Sequence, residues 1–383
     1  MKKYAFLFFP IIRIILNINC QNIKAEPNEI KNRNVIHFIK CGEDSILIEG
    51  NGRFGLVDAS NSYRYLKNEV ERVNIETSKG ETNQWANFSQ YSVQAVLDYL
   101  NHLNVTKLDF IIGTHSHNDH IGGIPAIAFK YVDNRTIYYY RKYRRNLEDI
   151  IRKHWANNKY YLAAVNSMTK KNATLIEVTN KKINFDFGDM NIELLNTESA
   201  ENDLLVRENK NSIATLVKYK NIKLLLAADM IVSDDKKIKD YIGKLNILKL
   251  AHHGFSETSP EFLRTTRPDH VIIMTKKLFN HAIKLIKYMK SKFHNKIYMT
   301  NFINDTAIIL HFDSNCKNGF YFENNKEIEF ILKQYINKIY FFIFLIFLIF
   351  KIVITLKKKK IIIFIYMNNK NNKNSIDIKS SKS

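Results

Sequence analysis

One short loop constrains this chain more than any other part of its sequence. An apolar run, KLDFIIG at residues 107–113, leads directly into THSHNDHIGG, which holds three histidines and an aspartate within six positions. The apolar run is typical of a buried strand, so these polar side chains are expected on a loop at the strand's end. Imidazole and carboxylate groups are the usual ligands of zinc and similar divalent ions. The sequence therefore predicts a metal site built on this loop.

The spacing within the loop allows it to serve two ions. His115 and His117 can point to one ion, while Asp119 and His120 point to a second. Two ions held close together can share a bridging hydroxide, lower its pKa and polarise the bond to be cut. The glycines at 122–123 let the backbone turn tightly beside such a site. A polar turn without a metal is the alternative interpretation of these residues.

Strands and helices alternate on both sides of the loop. VIHFIKC and DSILIEG have the alternation of strands, an NGR turn leads from the second into FGLVDAS as a hairpin, and YSVQAVLDYLNHL has helical spacing after a polar insertion at about 61–87. IGGIPAIAFKY starts a helix, and strand-rich stretches follow at 182–198, 211–230 and 244–254. Helices and strands then alternate to residue 312. Such mixing indicates layers of sheet covered by helices, in one body over residues 35–325.

These segments resemble the metallo-β-lactamase superfamily. THSHNDHIGG after an apolar strand resembles its signature, DSILIEGNGRFGLVDAS its opening hairpin, and LLLAADM the strand that ends in its bridging aspartate. LKLAHHGFSETS resembles the HHGxS segment of the branch that includes the ComEC-type DNA-uptake nuclease domain, and the first half is similar to teichoic-acid phosphorylcholine esterases. The resemblance implies an α/β fold, a four-layer αββα sandwich, with two metal ions in the cleft between the sheets.

The resemblance also implies a role for each matching position. The first ion would take His115 and His117, the second would take Asp119, His120 and His252, and Asp229 would bridge both. Asp119 and His253 are the expected catalytic residues, with His253 donating to the substrate or leaving group, or a water protonating the leaving oxygen instead. Asp58, at the end of the hairpin, would orient a ligand histidine from behind. A simple turn-forming role is the alternative for Asp58.

The chain departs from the superfamily at one position. Many members have a third histidine on the first ion, upstream of the bridging aspartate, but here that region reads RENKNSIATL. Asn209, Asn211 or Ser212 stands near the place. The departure leaves the third ligand of the first ion open, and it makes manganese an alternative to zinc for the two divalent ions.

The net charge of +21 lies largely at the two ends of the chain. Residues 332–383 hold 11 lysines against one aspartate, and residues 1–35 hold six basic residues against two acidic ones, which leaves about +7 for the body. Basic ends are typical of solvated or membrane-flanking tails. Nucleic acid is therefore a possible partner, but the net charge alone does not indicate one.

Both ends carry apolar runs. Within a leader at 1–34, two lysines precede an apolar run that Arg13 interrupts, which predicts a signal peptide or anchor. Within a basic tail at 326–383, IYFFIFLIFLIFKIVITL at 339–356 precedes four lysines and predicts a membrane span. Low-complexity sequence is the alternative for the tail. Together the ends predict an extracellular or cell-surface protein with a membrane anchor.

The cysteines do not form a recognisable framework. Cys20, Cys41 and Cys316 are far apart and have no C-x-x-C spacing. Thiols are the favoured state, and a single bridge between Cys41 and Cys316 is the alternative.

Residues 137–161 interleave aromatic and basic side chains. They are expected to form either a substrate lip, in which Arg and Lys hold phosphate while Tyr or Trp155 stacks a base or a choline-like cation, or an amphipathic helix with a solvated basic face. The lip would suit a phosphate-bearing substrate.

The sequence thus predicts a dinuclear metal-dependent hydrolase that cleaves a phosphoester or phosphodiester, in a small molecule or polymer, through a metal-bound hydroxide. Lactam, thioester and lactone bonds are alternative substrates within the superfamily. A surface-anchored binding protein that keeps the fold without turnover is the alternative from another class, and the missing histidine motivates it.

Overall fold

The computed structural model describes residues 33–62, 92–143, 157–179, 182–196, 208–255, 258–278, 280–325, 327, 341, 343–352 and 354–355. Most of the predicted leader and of the polar insertion lies outside these residues. The chain forms two compact units, Met1–Lys326 and Glu327–Ser383.

Fifteen strands are described in the larger unit, and eight of them form one sheet: β1 (Asn34–Ile39), β2 (Ile46–Gly50), β3 (Arg53–Val57), β4 (Phe110–Gly113), β5 (Ile137–Tyr140), β6 (Thr174–Glu177), β14 (Ala307–Phe312) and β15 (Phe320–Glu323). Their order is β15-β14-β1-β2-β3-β4-β5-β6. The pairs from β15 to β3 are antiparallel, whereas β3 to β6 run parallel. The β2–β3 hairpin turns at Asn51 and Gly52, both with positive φ, as the NGR sequence predicts.

The other seven strands form a second sheet: β7 (Ile183–Phe187), β8 (Met190–Leu195), β9 (Ala214–Tyr219), β10 (Ile222–Leu226), β11 (Ile247–Lys249), β12 (His270–Ile273) and β13 (Lys296–Met299). Their order is β13-β12-β11-β10-β9-β8-β7. The strands β7 to β10 are paired antiparallel, and β10 to β13 run parallel.

The helices of the larger unit cover these sheets: α1 (Val93–His102), α2 (Asn118–Ile121), α3 (Ile124–Tyr131), α4 (Asn157–Lys170), α5 (Val232–Ile242), α6 (Pro260–Thr266) and α7 (Asn280–Phe293). The last three are crossovers between the parallel strands β10 to β13, which requires them to pack on a face of that sheet. The Ser259 hydroxyl caps α6 by accepting the backbone N–H of Phe262, and Pro260 occupies its first turn.

The core lies in two layers because alternate side chains of each strand point to opposite faces. One face of β1 and β10, through residues such as Phe38 and Leu224, joins a cluster shared by both sheets. The opposite face of β2, through Leu47, packs in a second cluster with residues of α1, α3 and α4 such as Leu100 and Ile127. Two facing sheets with helices outside confirm the predicted four-layer αββα sandwich.

The segment 137–161 begins as a strand and not as a helix. β5 pairs with β4 on one side and β6 on the other, and it buries Tyr138 and Tyr139. Aromatic side chains favour such a buried sheet position, so an amphipathic helix over the whole segment is wrong. Helix α4 starts at Asn157, and residues 144–156 lie outside those described.

No disulfide joins Cys41 to Cys316. Cys41 is fully buried, and burial raises the pKa of its thiol to about 12. The thiol state predicted for these two residues is therefore confirmed, while Cys20 lies outside the described part of the chain.

In the smaller unit, residues 341, 343–352 and 354–355 are helical, and among them Phe347 is the most exposed large apolar side chain. The span predicted at 339–356 thus lies partly outside the described residues. Among the helices that the described residues form, none is both long and apolar enough to cross a membrane.

Candidate metal centre

The predicted site residues follow the carboxyl ends of parallel strands in both sheets. Asp58 comes directly after β3, and His115 comes two residues after the end of its parallel neighbour β4. In the second sheet Asp229 follows β10, and His252 follows the parallel β11. The carboxyl ends of parallel strands meet at one edge of a sheet, so the topology brings these side chains together.

The histidine loop is shaped by a short helical turn and two glycines. His117 lies directly before helix α2, and Gly122 and Gly123 lie directly after that helix. A Cβ atom at Gly123 would collide with the carbonyl oxygen of Ala59, and one at Gly122 would collide with the side chain of Asn118. Only glycine fits where the backbone approaches this closely.

Asp229 lies at the centre of the site, because each of its carboxylate oxygens faces two imidazoles. Its Oδ2 lies 3.8 Å from Nε2 of His115 and 3.6 Å from Nε2 of His252. Its Oδ1 lies 3.2 Å from Nε2 of His120 and 3.9 Å from Nε2 of His253. Asp229 therefore lies between two groups of histidines, which is where the resemblance led us to expect a bridging ligand.

The group on the Oδ2 side includes the second histidine of the loop. Nε2 of His115 and Nδ1 of His117 are 3.0 Å apart, and both residues are buried. Two ring nitrogens so close suit a shared cation better than a pair of protonated rings.

The group on the Oδ1 side consists of Asp119, His120 and His253, whose ligand atoms lie within 4.8 Å of one another. Asp119 Oδ2 is 3.3 Å from Nε2 of His253. His252 was expected here, but its Nε2 lies beside Oδ2 of Asp229, whereas Nε2 of His253 lies on the Oδ1 side. Both histidines have positive φ, 48° and 52°, and their rings lie beside different oxygens of Asp229.

The residues present fit a divalent cation. Asp119 Oδ1, His120 Nε2 and Asp229 Oδ1 are buried and accept or donate no hydrogen bond within the described part of the chain. Buried polar atoms without partners are costly, and carboxylate and imidazole atoms that converge in this way are the donors of a divalent metal.

The charges around the site point the same way. Burial lowers the pKa of His120, but Asp229 and Asp58 outweigh it and hold that pKa well above the usual value. Burial raises the pKa of Asp229, but His120 and His252 outweigh it and hold that pKa well below the usual value. The carboxylates thus attract positive charge strongly, and a bound cation would replace protons on the rings.

Asp58 occupies the position expected of a residue that orients a ligand from behind. Its Oδ1 accepts the backbone N–H of Thr114, and its Oδ2 accepts the Thr114 hydroxyl. The same Oδ2 lies 2.7 Å from Nδ1 of His120. A proton on Nδ1 leaves Nε2 of His120 bare toward Asp229.

Asn209, Asn211 and Ser212, from the segment where a third histidine was expected, make different contacts. The Asn209 carboxamide lies beside both ring nitrogens of His252, with Nδ2 3.3 and 3.4 Å away. Ser212 Oγ accepts the backbone N–H of Asp229 and lies 3.5 Å from Nδ1 of His115. Asn211 instead donates to Glu208 Oε2, at 3.0 Å. Asn209 and Ser212 thus contact expected ligands directly.

Glu208 is a site residue that the sequence reasoning missed. It is fully buried, and its Oε1 accepts the backbone N–H of Ser116 between the two first histidines. Burial raises the pKa of Glu208, against the opposing effect of His117. The signal was present in RENKNS, where an acid stands one residue before the candidate Asn209.

A buried ion pair behind the Oδ1 group was also missed. Lys249, in the middle of the apolar LKLAHHG, is fully buried and donates to Asp44 Oδ2. Asp44 Oδ1 in turn lies 3.4 Å from Nδ1 of His253, which also faces the carbonyl oxygen of Met274 at 3.0 Å. A lysine inside an apolar strand was the available signal, since it needs a buried partner.

Glu43 adds another carboxylate beside this group. Its Oε1 accepts from Lys276 at 2.7 Å, and its Oε2 lies 4.0 Å from Nε2 of His253. Burial raises the pKa of Glu43 above its usual value, although His253 opposes this effect. The site therefore holds more carboxylates than the motif alone supplies.

The family comparison agrees with this geometry. Residues 40–190 match the family described as the Metallo-beta-lactamase superfamily, a segment that includes Asp58 and the whole histidine loop. This match covers less than half of the chain, and it shows that the segment with the histidine loop is similar to that superfamily. The converging histidines and aspartates are those expected of a metal-dependent hydrolase.

Solved structures with a related fold are distant in sequence. The metallo-beta-lactamase fold protein YhfI from Bacillus subtilis is 12% identical, over 73% of this chain and 99% of that one, with a TM-score of 0.45. Igni18, a metallo hydrolase from Ignicoccus hospitalis, is 14% identical over 73% and 98%, with a TM-score of 0.40. CmlA, a diiron beta-hydroxylase from Streptomyces venezuelae, is 14% identical over 70% and 52%, with a TM-score of 0.40. No functional conclusion follows from TM-scores below 0.5. Among curated proteins, none matches the chain.

Proposed function

We propose that this centre holds two divalent ions and hydrolyses a phosphoester or phosphodiester bond. The observation that carries the proposal is the position of Asp229, whose two oxygens each face two imidazoles at 3.2 to 3.9 Å. A carboxylate with separate ligand groups on its two oxygens suits a pair of ions. When bound, such ions supply an activated water and stabilise charge that develops on a phosphoryl group.

The residues around the ions divide the remaining work. Asp58 holds the proton of His120 at Nδ1 and keeps the ring in one orientation. Asp119 has a side chain that is 28% exposed, against 1% for Asp229, so it is the aspartate of the pair that solvent can reach. Asp119 is therefore placed to accept a proton from an attacking water as well as to bind an ion.

His253 is poorly placed to give a proton to a leaving group, although the sequence-based expectation gave it that role. Its side chain is only 6% exposed, its Nε2 faces Asp119, and its Nδ1 faces the carbonyl oxygen of Met274. In our proposal a water protonates the leaving oxygen, and His253 serves the Oδ1 group.

The preference for phosphorus draws support from the edge of the first sheet. Arg141, Lys142 and Tyr143 follow β5, which is the parallel neighbour of the strand that carries the histidine loop. Tyr140 and Tyr143 both pack near the ring of Tyr161, with centroids 6.2 and 6.1 Å away. Arg141 is buried and donates to the carbonyl oxygen of Asn196, so Lys142, which is exposed, is the cation of this edge that a phosphate can reach. The resemblance of LKLAHHGFSETS to the ComEC-type branch, and of the first half to phosphorylcholine esterases, supports the same chemistry.

We also propose that the protein is associated with a membrane or cell surface through its C-terminal tail. The apolar side chains of the helical residues 343–352 and the four lysines at 357–360 support a membrane-associated tail. The substrate would then be a phosphoester found at a membrane or cell surface.

The test uses the full-length chain, purified without chelator and supplied with zinc or manganese. Metal content is measured by mass spectrometry together with hydrolysis of bis-p-nitrophenyl phosphate and p-nitrophenyl phosphate. Asp119→Ala is compared with Asp98→Ala, a change at a carboxylate of α1 that contacts Gln94 and not the site. We expect two ions per chain and turnover that only Asp119→Ala abolishes.

Other results would contradict the proposal in different ways. If the chain binds two ions and hydrolyses a lactam or a thioester but neither phosphate ester, it is a hydrolase, and the proposed substrate class is wrong. Failure to bind metal would contradict the centre itself and favour a binding protein that only keeps the fold.

A further inference from the structure

We infer that His252 is a ligand of the first ion, where it takes the place of the third histidine that this chain lacks. The inference rests on the two-ion centre proposed above. It assigns His252 to the ion of His115 and His117, whereas the superfamily resemblance assigned it to the ion of Asp119 and His120.

The distances to Asp229 separate the four rings into two pairs. Nε2 of His252 and Nε2 of His115 lie on the Oδ2 side, at 3.6 and 3.8 Å. Nε2 of His120 and of His253 lie on the Oδ1 side, at 3.2 and 3.9 Å. With Asp119 on the Oδ1 side, that group already has two imidazoles and two carboxylates. The Oδ2 group reaches a similar number of donors only if His252 belongs to it.

The backbone holds His252 in this position. The N–H of His252 donates to the carbonyl oxygen of Ala228, at 2.9 Å, which ties it to the residue just before Asp229. Its φ of 48° is in the left-handed region, which non-glycine residues rarely adopt. Strained backbone of this kind is found where a side chain must reach a functional position.

Asn209 completes the argument because it belongs to the segment where the missing histidine was expected. Its carboxamide lies beside both ring nitrogens of His252. Its Oδ1 is buried and has no hydrogen bond to any residue that the structure describes. Rotation of the amide by 180° would let Oδ1 accept a proton from Nδ1, which would satisfy the oxygen and leave Nε2 of His252 unprotonated for an ion.

The experiment isolates each ion before testing the two histidines. In the full-length Asp119→Ala variant only the first ion should remain, and in His117→Ala only the second. Cobalt(II) is the probe, since its affinity can be titrated and its visible absorption reports the donor set. His252→Ala and His253→Ala are added to each background. The two are matched because both positions have a left-handed backbone, with φ of 48° and 52°.

In the Asp119→Ala background, we expect His252→Ala to raise the cobalt dissociation constant at least 100-fold and to change the absorption spectrum. His253→Ala should leave both within about twofold of the background. In the His117→Ala background the effects should be reversed. If His252→Ala does not fold, His252→Phe keeps the ring contact with Phe255, whose centroid is 4.8 Å away, and offers no nitrogen.

The opposite pattern, in which His253 controls the first ion or His252 the second, would overturn the inference and leave the hydrolase proposal intact. Unchanged affinity on loss of His252 in both backgrounds would overturn it as well. Failure of the unmodified chain to bind two ions would instead show that the two-ion centre is wrong, and the inference would fall with it.

Discussion

Oδ2 of Asp58 lies 2.7 Å from Nδ1 of His120, and both residues are buried. The contact joins the end of one strand to a residue of the neighbouring loop, and Thr114 holds the same carboxylate through its backbone N–H and its hydroxyl. Asp58 can therefore accept from His120 only with the ring in one orientation, which directs Nε2 to Asp229.

Replacing Asp58 with alanine should weaken metal binding on the Oδ1 side of Asp229. Loss of a carboxylate behind a ligand histidine typically lowers metal affinity about 10- to 100-fold. The measurement is competition titration with zinc, and the matched control is Asp109→Ala, at a carboxylate that pairs with Arg53 and Lys107 beside the same strand. Equal affinity in the two variants would show that Asp58 is only a turn former.

The local parts of this site could be predicted from sequence, because strand, loop and ligands are contiguous. The hairpin and the strand before His115 each follow from a short pattern, and the resemblance of LLLAADM to a superfamily strand pointed to Asp229 just after β10. The choice between His252 and His253 could not be predicted, because the two are neighbours in the chain and only the folded structure places them beside different oxygens of Asp229. Asp44 and Lys249 were missed for a different reason, since they are 205 residues apart and meet only in the folded chain.

Lys249→Met should destabilise the fold strongly. Lys249 is fully buried and pairs with Asp44, and with His253 it outweighs burial and lowers the pKa of that carboxyl. Removing one partner of a buried ion pair costs about 3–5 kcal/mol because the other charge is left uncompensated. Urea unfolding of the metal-free protein measures the difference.

The control is Lys244→Met, at a side chain that is 68% exposed and lies 3.8 Å from Asp269. It should change the free energy of unfolding by no more than about 0.5 kcal/mol. The double variant Lys249→Met/Asp44→Asn should recover part of the loss. A double variant as unstable as Lys249→Met alone would show that lost packing, and not the buried charge, is responsible.

Glu208→Ala should loosen the histidine loop. It would leave the buried N–H of Ser116 and the amide of Asn211 without their acceptor, which costs about 1–3 kcal/mol for a buried donor. Glu208→Gln retains one acceptor and should lose less. Thermal unfolding compares both with Glu177→Ala, at an exposed residue of β6. If Glu208→Ala is no less stable than that control, Glu208 does not hold the loop.

Asp234 should make stability depend on pH. It is fully buried, its two oxygens have no hydrogen bond to a described residue, and Nζ of Lys237 lies 3.9 Å from its Oδ1. Burial raises its pKa to about 6, from an unperturbed 3.8. Between these values the folded state binds more protons than the unfolded state, so this residue's contribution to stability falls as pH rises from about 4 to about 6.

Asp234→Asn removes that charge and should therefore stabilise the protein above pH 6, by about 1–2 kcal/mol, with little effect below pH 4. The measurement is the difference between variant and unmodified protein in urea unfolding at pH 4, 5, 6 and 7, since the difference cancels the titration of the metal centre. Asp240→Asn, at a side chain that is 76% exposed, is the control and should show no such trend. If Asp234→Asn stabilises the protein equally at every pH, the amide acts through packing. If the stabilisation shrinks as pH rises, the pKa of Asp234 is not raised in the folded protein.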